Sequence, residues 1–162
     1  MKFHVEQQIE APPDAVAGAF ADAAFYESLG AFKNLAAPEV LERRQLGDAV
    51  HLRVRYRFTG DLNPAARAVL DPARLSWVED ATHDLAAHHV VFRMDADHYA
   101  DRFRAHGSYR FVAHDAGTRR IAVGEVVIRT PIVGRRVERA IVSGIEEHIH
   151  EETALVEAFL NR

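Results

Sequence analysis

The chain has 162 residues, 48% of them hydrophobic and 27% charged, which suits one globular domain over 1–162 that buries about 70% of the surface its unfolded form exposes. A formal net charge of −4 gives no overall attraction to nucleic acid or anionic lipid, and the lack of cysteine excludes disulfides, thiolate metal sites and cysteine nucleophiles. The opening MKFHVEQQIE has no continuous apolar run of the kind a signal peptide carries, and no later stretch approaches a membrane span, so a cytoplasmic protein without stable membrane insertion is expected.

In chain order, Phe3, Val5 and Ile9 alternate with His4, Glu6 and Glu10, which predicts a strand with one buried face. The period then changes. Prolines and Asp14 open APPDAVAGAFADAAFYESLGAF, and Val16, Phe20, Phe25 and Leu29 recur at helical spacing, with Asp22 or Gly30 dividing the segment into two short helices. EVLERRQL, a Gly47-Asp48 turn and AVHLRVRYRF predict a hairpin. Its second strand places Val50, Leu52, Val54, Tyr56 and Phe58 on one face and His51, Arg53, Arg55 and Arg57 on the other. TGDLNPAARAVLDPA, with Gly60, Pro64 and Pro72, is a loop with room for a helical turn. RLSWVEDAT, AAHHVVFRMD, RAHGSYRFVAH and RRIAVGEVVIRT follow as sequential antiparallel strands, and a long amphipathic helix runs from Pro131 to the C-terminus.

The order β, α, α, six strands, α defines an α+β fold, in which the last helix buries its apolar stripe on the concave face of the meander. At about 100° per residue that stripe holds Val137, Ile141, Gly144, Ile145, Leu155 and Phe159, and Val137, Ile141, Ile145, Leu155 and Phe159 are expected to be buried. GIEEHIHEET looks like a metal site, but His148 and His150 are two apart on a helix and point away from each other. His148 falls on the apolar stripe with Glu152 four residues on, while Glu146 and His150 are expected in solvent.

The order of elements resembles the helix-grip fold of the START-related superfamily, which also contains the birch-pollen allergen family and aromatase/cyclases. The stretches VHLRVRYRFTGDL, DPARLSWVEDATHDL, DHYADRFRAHGSYRF and VGRRVERAIVSGI are most similar to an uncharacterised bacterial family within it. The resemblance covers nearly the whole chain. It implies a curved antiparallel sheet of about seven strands around the C-terminal helix, with a pocket between them for a hydrophobic small molecule or lipid. It also leaves two other functions open: a cyclase or dehydratase on a polyketide-like substrate, using His148, Glu79 or His88, and a non-catalytic protein-interaction module.

Strand alternation supplies the rest of the candidate lining. An inward Trp77 brings Glu79 with it, an inward Phe92 brings His88 and Met94, and Tyr109 travels with Gly107 and Phe111. The candidate ligand-binding set is therefore Tyr56, Phe58, Trp77, Glu79, His88, Phe92, Tyr109, Ile141, Ile145, His148 and Glu152. His148 and Glu152 have two readings, a satisfied polar pair in the core or a polar anchor that orients a ligand. No catalytic residue is assigned, and neither a metal nor a cofactor is expected. The ten histidines are scattered, and Asp95 to Asp101 lacks the glycine and glutamate of a calcium loop. There is no phosphate-binding glycine loop and no G-x-S-x-G elbow. The Arg53, Arg55 and Arg57 stripe has no interleaved aromatics for base stacking, and Arg135, Arg136 and Arg139 near a helix start have two readings, a solvated face or an anion or headgroup site.

Overall fold

A computed structural model describes residues 1–68, 70–130 and 134–162. Strand β1 (Lys2–Ile9) is followed by α1 (Pro13–Phe20) and α2 (Ala23–Glu27), then by β2 (Glu39–Leu46) and β3 (Ala49–Arg57). A short α3 (Pro64–Arg67) and a 3-10 turn (Pro72–Arg74) lead into β4 (Ser76–Asp84), β5 (His89–Ala96), β6 (Phe103–His114), β7 (Gly117–Ile128) and α4 (Gly134–Leu160). The strands form one antiparallel sheet in the order β1-β7-β6-β5-β4-β3-β2, so the two N-terminal helices bridge the sheet from one edge to the other. This is the helix-grip arrangement that the resemblance implies. The predicted start of the last helix at Pro131 lies outside the described residues.

Local chemistry accounts for most boundaries. Asp22, and not Gly30, divides the N-terminal helices: its carboxylate accepts from the Ala24 backbone N–H at 3.0 Å and caps α2. Asn63 caps α3 in the same way, and Gly47 takes the left-handed conformation (φ +62°) that the β2–β3 turn requires. The inward face of β3 is buried from Val50 to Tyr56, while on its outer face Arg53 and His51 meet Asp80, and Arg55 lies between Glu39 and Asp97. The basic stripe is therefore largely paired with neighbouring carboxylates.

Gly107 and Gly124 face each other on β6 and β7. A Cβ on Gly107 would overlap the Val123 carbonyl oxygen and the Phe92 ring, and one on Gly124 would overlap Phe3. Side-chain-free positions on adjacent strands let the sheet bend sharply and bring its inner face around α4.

Helix α4 packs on β1, β7 and α1. Gln7 of β1 fastens it there, donating through Nε2 to the Ile149 carbonyl and to Thr153 Oγ1 (2.5 Å). The buried seam is Val142, Ile149, Glu152 and Val156. Val137 is buried as expected and Ile141, Ile145 and Phe159 are half-buried, but Leu155 is 37% exposed, which corrects its placement in the core. The phase explains this: Val142, Ile149 and Val156 recur every seven residues and set the centre of the face, and Leu155 lies about 120° from that centre. His150 is exposed as expected, whereas Glu146 is half-buried.

Candidate functional site

Sheet and helix do not close on each other. Between them lies a cavity of about 470 Å³, open toward the α3 end of the molecule. Its floor follows the inward residues of β4, from Trp77 through Glu79 to His83. Six residue-to-residue steps along the strand make that floor about 20 Å long. One wall comes from α4, through Ile141, Ile145, His148 and Glu152; Tyr56, Phe58 and Tyr109 complete the sides. Lys33 and Asn34 both reach Glu147 of α4, at 2.5 and 3.1 Å, and tie the α2–β2 loop to the helix beside the opening.

Nine of the eleven candidate residues thus line this space, and two do not. Phe92 is buried behind it, stacked on Tyr109 with centroids 4.7 Å apart and filling the room left by Gly107. His88 corrects the alternation argument more completely. Strand β5 begins at His89, so His88 belongs to the β4–β5 turn with φ +50°, and its Nε2 lies 2.6 Å from Asp14 Oδ1 of α1.

The polar groups of the cavity form a connected set around Glu152. Arg120 of β7, 2% exposed, donates to Glu152 Oε2 at 2.7 Å, and His148 Nε2 lies 3.3 Å from Oε1. The guanidinium is sandwiched between Phe20 and Tyr109, 4.3 and 4.2 Å from their ring centroids. Burial alone would raise the Glu152 pKa, but His148 and Arg120 overcome it and hold the carboxyl down at about 2. Burial likewise opposes the charge on Arg120, but Glu152, Tyr109 and Tyr26 together outweigh it, so the guanidinium stays charged.

Glu79 has neither an ion pair nor a hydrogen bond among the described residues. Burial first, and then repulsion from Glu152, push its carboxyl up to about 7 despite the opposing pull of His148 and Arg120. It is half-buried and lines the cavity. Tyr26, Tyr56 and Tyr109 are held protonated by burial and by the neighbouring carboxylates, so each remains an O–H donor. Tyr26 uses its hydroxyl on the Phe20 carbonyl at 3.0 Å. Trp77 Nε1, Arg120 Nε and His148 Nδ1 have no partner among the described residues, nor does either ring nitrogen of His83.

Sequence reasoning missed Arg120, His83 and Tyr26. His83 continues the alternation of Trp77, Glu79 and Ala81, one residue beyond the predicted end of the strand at Thr82. It is 3% exposed, and burial first, then Arg120, hold its ring neutral down to about pH 4. Arg120 sits in a strand with apolar residues on both faces, so alternation gives no phase there. Its signal lies in β1: Gln7 interrupts the inward series Phe3, Val5, Ile9, and Gln7 pairs with Arg120.

Chemically, the site is an apolar trough with one committed ion-pair cluster, one uncommitted carboxyl that titrates near neutrality, and several free donors. Among the described residues no group of histidines, carboxylates or cysteines is arranged to hold a metal ion, and no helix is long and apolar enough to cross a membrane.

Solved structures share this architecture across nearly their whole length. The protein TTHA0849 from Thermus thermophilus has a TM-score of 0.70 at 18% identity, covering 99% of this chain and 97% of that one. The Zhui aromatase/cyclase from a Streptomyces species has a TM-score of 0.67 at 18% identity, covering 100% and 95%. Norcoclaurine synthase from Thalictrum flavum, in complex with dopamine and hydroxybenzaldehyde, has a TM-score of 0.65 at 15% identity, covering 100% and 87%. At these identities the likeness is one of fold. No curated protein matches the chain in sequence. The match that reaches the level of family is to the model described as Protein of unknown function (DUF2505), which spans residues 4–160, and the chain belongs to that family.

Proposed function

We propose that this protein binds an elongated or polycyclic, mostly apolar small molecule or lipid in the trough between the sheet and α4. The observation that carries the reading is the cavity itself, about 470 Å³ and walled largely by aromatic and aliphatic side chains. Specific small-molecule sites fall in the range of about 300–1,000 Å³ and join such walls to a few placed polar groups. Burying apolar ligand surface contributes about 25 cal/mol per Å² before the losses of ordering the ligand. Trp77, Tyr56, His148 and Glu79 then orient a polar end. A filled core with an exposed apolar patch would favour an interaction module, whereas an open trough favours a ligand.

The test is titration with fluorescent fatty-acid and polycyclic probes, with and without chelator. Saturable binding of at least one probe, unaffected by chelator and lost in Ile145→Trp, which crowds the trough, is the expected result. No saturable binding by any probe would overturn the reading.

A second reading has one specific observation behind it. A carboxyl held at about 7 in an aromatic cavity gives and takes protons efficiently near neutral pH. Glu79, with His148 nearby, therefore supports acid–base chemistry such as cyclisation or dehydration of a polyketide-like substrate, and one of the similar structures is an aromatase/cyclase. Turnover of a poly-β-ketone thioester that disappears in Glu79→Gln while probe binding persists would favour this reading over binding alone.

A further inference from the structure

The charges inside the trough do not balance in pairs. Arg120 and His148 both lean on Glu152, at 2.7 and 3.3 Å, and Arg120 is further held between two rings. Glu79 is left with no cation of its own among the described residues. It stands on β4 between Val54 of β3 and Met94 of β5, and Tyr56 and Trp77 occupy the next inward positions on the same face, their rings stacked at 5.9 Å. Burial first and the Glu79 charge second raise the pKa of both Tyr56 and Tyr109, and all three side chains line the same cavity. A lone carboxyl beside electron-rich aromatic side chains, in a largely apolar trough, is the chemistry that recognises an organic cation.

We infer that the ligand of this trough carries a cationic amine on its apolar body, with the ammonium seated against Glu79 and beside the rings of Tyr56 and Trp77. The inference rests on the small-molecule reading above and names the class of molecule it concerns. The ammonium would supply the countercharge that Glu79 lacks, so binding would drive Glu79 to ionise and expel a proton. A neutral ligand that accepts a hydrogen bond from Glu79 would have the opposite effect and retain the proton. The groups that bear on this equilibrium are Glu152 and His148 from α4, Arg120 from β7, Tyr56 from β3, Tyr109 from β6 and Tyr26 from α2.

The experiment uses three probes of nearly one shape, 1-naphthylmethylamine, 1-naphthalenemethanol and 1-naphthoate, titrated calorimetrically at pH 7 in two buffers of different ionisation enthalpy. The amine is expected to bind roughly tenfold or more tighter than the alcohol. It should release a fraction of a proton per ligand, because Glu79, pushed up to about 7, keeps part of its proton population at that pH. In Glu79→Gln the preference of amine over alcohol should vanish. Equal binding of amine and alcohol, tighter binding of the naphthoate through Arg120, or a preference that survives Glu79→Gln would each overturn the inference and leave the small-molecule reading standing. If none of the three binds while the fatty-acid and polycyclic panel does, the inference falls and the small-molecule reading stands; if that panel fails as well, both fall. Should Glu79→Gln fail to fold, the proton count on the unaltered protein decides, and zero release or proton uptake with the amine overturns the inference.

Discussion

Replacing Glu79 by glutamine should reshape how stability depends on pH. The Glu79 carboxyl is held at about 7 against an ordinary 4.5, by burial first and Glu152 second. Between those two values the folded chain keeps a proton that the unfolded chain has lost, so this group makes stability fall as pH rises from about 4.5 to about 7. The difference corresponds to about 3 kcal/mol, and screening by water in the trough reduces it to about 1–3. His83 works in the other direction. Its ring is held at about 4 against 6.5, so across that interval it is the unfolded chain that binds the proton, and stability rises with pH by a similar amount. The two slopes oppose each other from about 4.5 to 6.5. The parent protein should therefore be nearly level there and lose stability only above that window. Glu79→Gln removes the falling slope, so the variant should gain about 1–3 kcal/mol between pH 4.5 and 6.5 and then stay level to pH 8. Glu152, held down at about 2, adds stability that is complete above about 4.5 and is lost as pH falls through its folded value, below this window. Urea unfolding followed by the fluorescence of Trp77, the chain's one tryptophan, gives the curves, provided that m is the same for both proteins. Parallel curves for parent and variant from pH 4.5 to 8 would refute the assignment of the titration to Glu79.

Ile149→Ala, in the fully buried seam, should cost about 2–5 kcal/mol, whereas Ile141→Ala, half-buried and bordering the trough, should cost less, as measured by urea unfolding. Arg120→Met strands Glu152 in the interior and should destabilise by about 3–5 kcal/mol, and the double variant Arg120→Met, Glu152→Leu should recover most of that loss; calorimetric unfolding of the three proteins tests both statements. His148→Leu should fold with little change in Tm yet alter the ranking of ligands in a fluorescent probe panel. Unfolding of that variant, or an unchanged ranking, would make the residue purely structural.

The elements of this fold and one face of several of them were legible from local pattern alone, because each arises from interactions a few residues apart. The alternation in β1 and β3 and the Gly47 turn have local causes and appear where the chain predicts them, and of the two candidates for dividing the N-terminal helices, Asp22 and Gly30, the Asp22 cap decides for the first. The same geometry dissolved the apparent metal pair at His148 and His150 and joined His148 to Glu152 across one helical turn. Phase and termination were less legible. An apolar stripe wide enough to include both Leu155 and Val156 does not say which of them meets the sheet; the docking of α4 on β1 and β7, fastened by Gln7, decides it. The extent of β5 decided His88, since a side chain one residue before the first strand position owes nothing to the strand's alternation. Arg120 needed the most tertiary information, because a strand with apolar residues on both faces acquires an inside only when a partner with a clear inside pairs with it. From that pairing came the cluster of Arg120, Glu152 and His148, and with it the isolation of Glu79: sequence spacing brings charges together along one element, but only packing determines which of them, on different elements, is left without a partner.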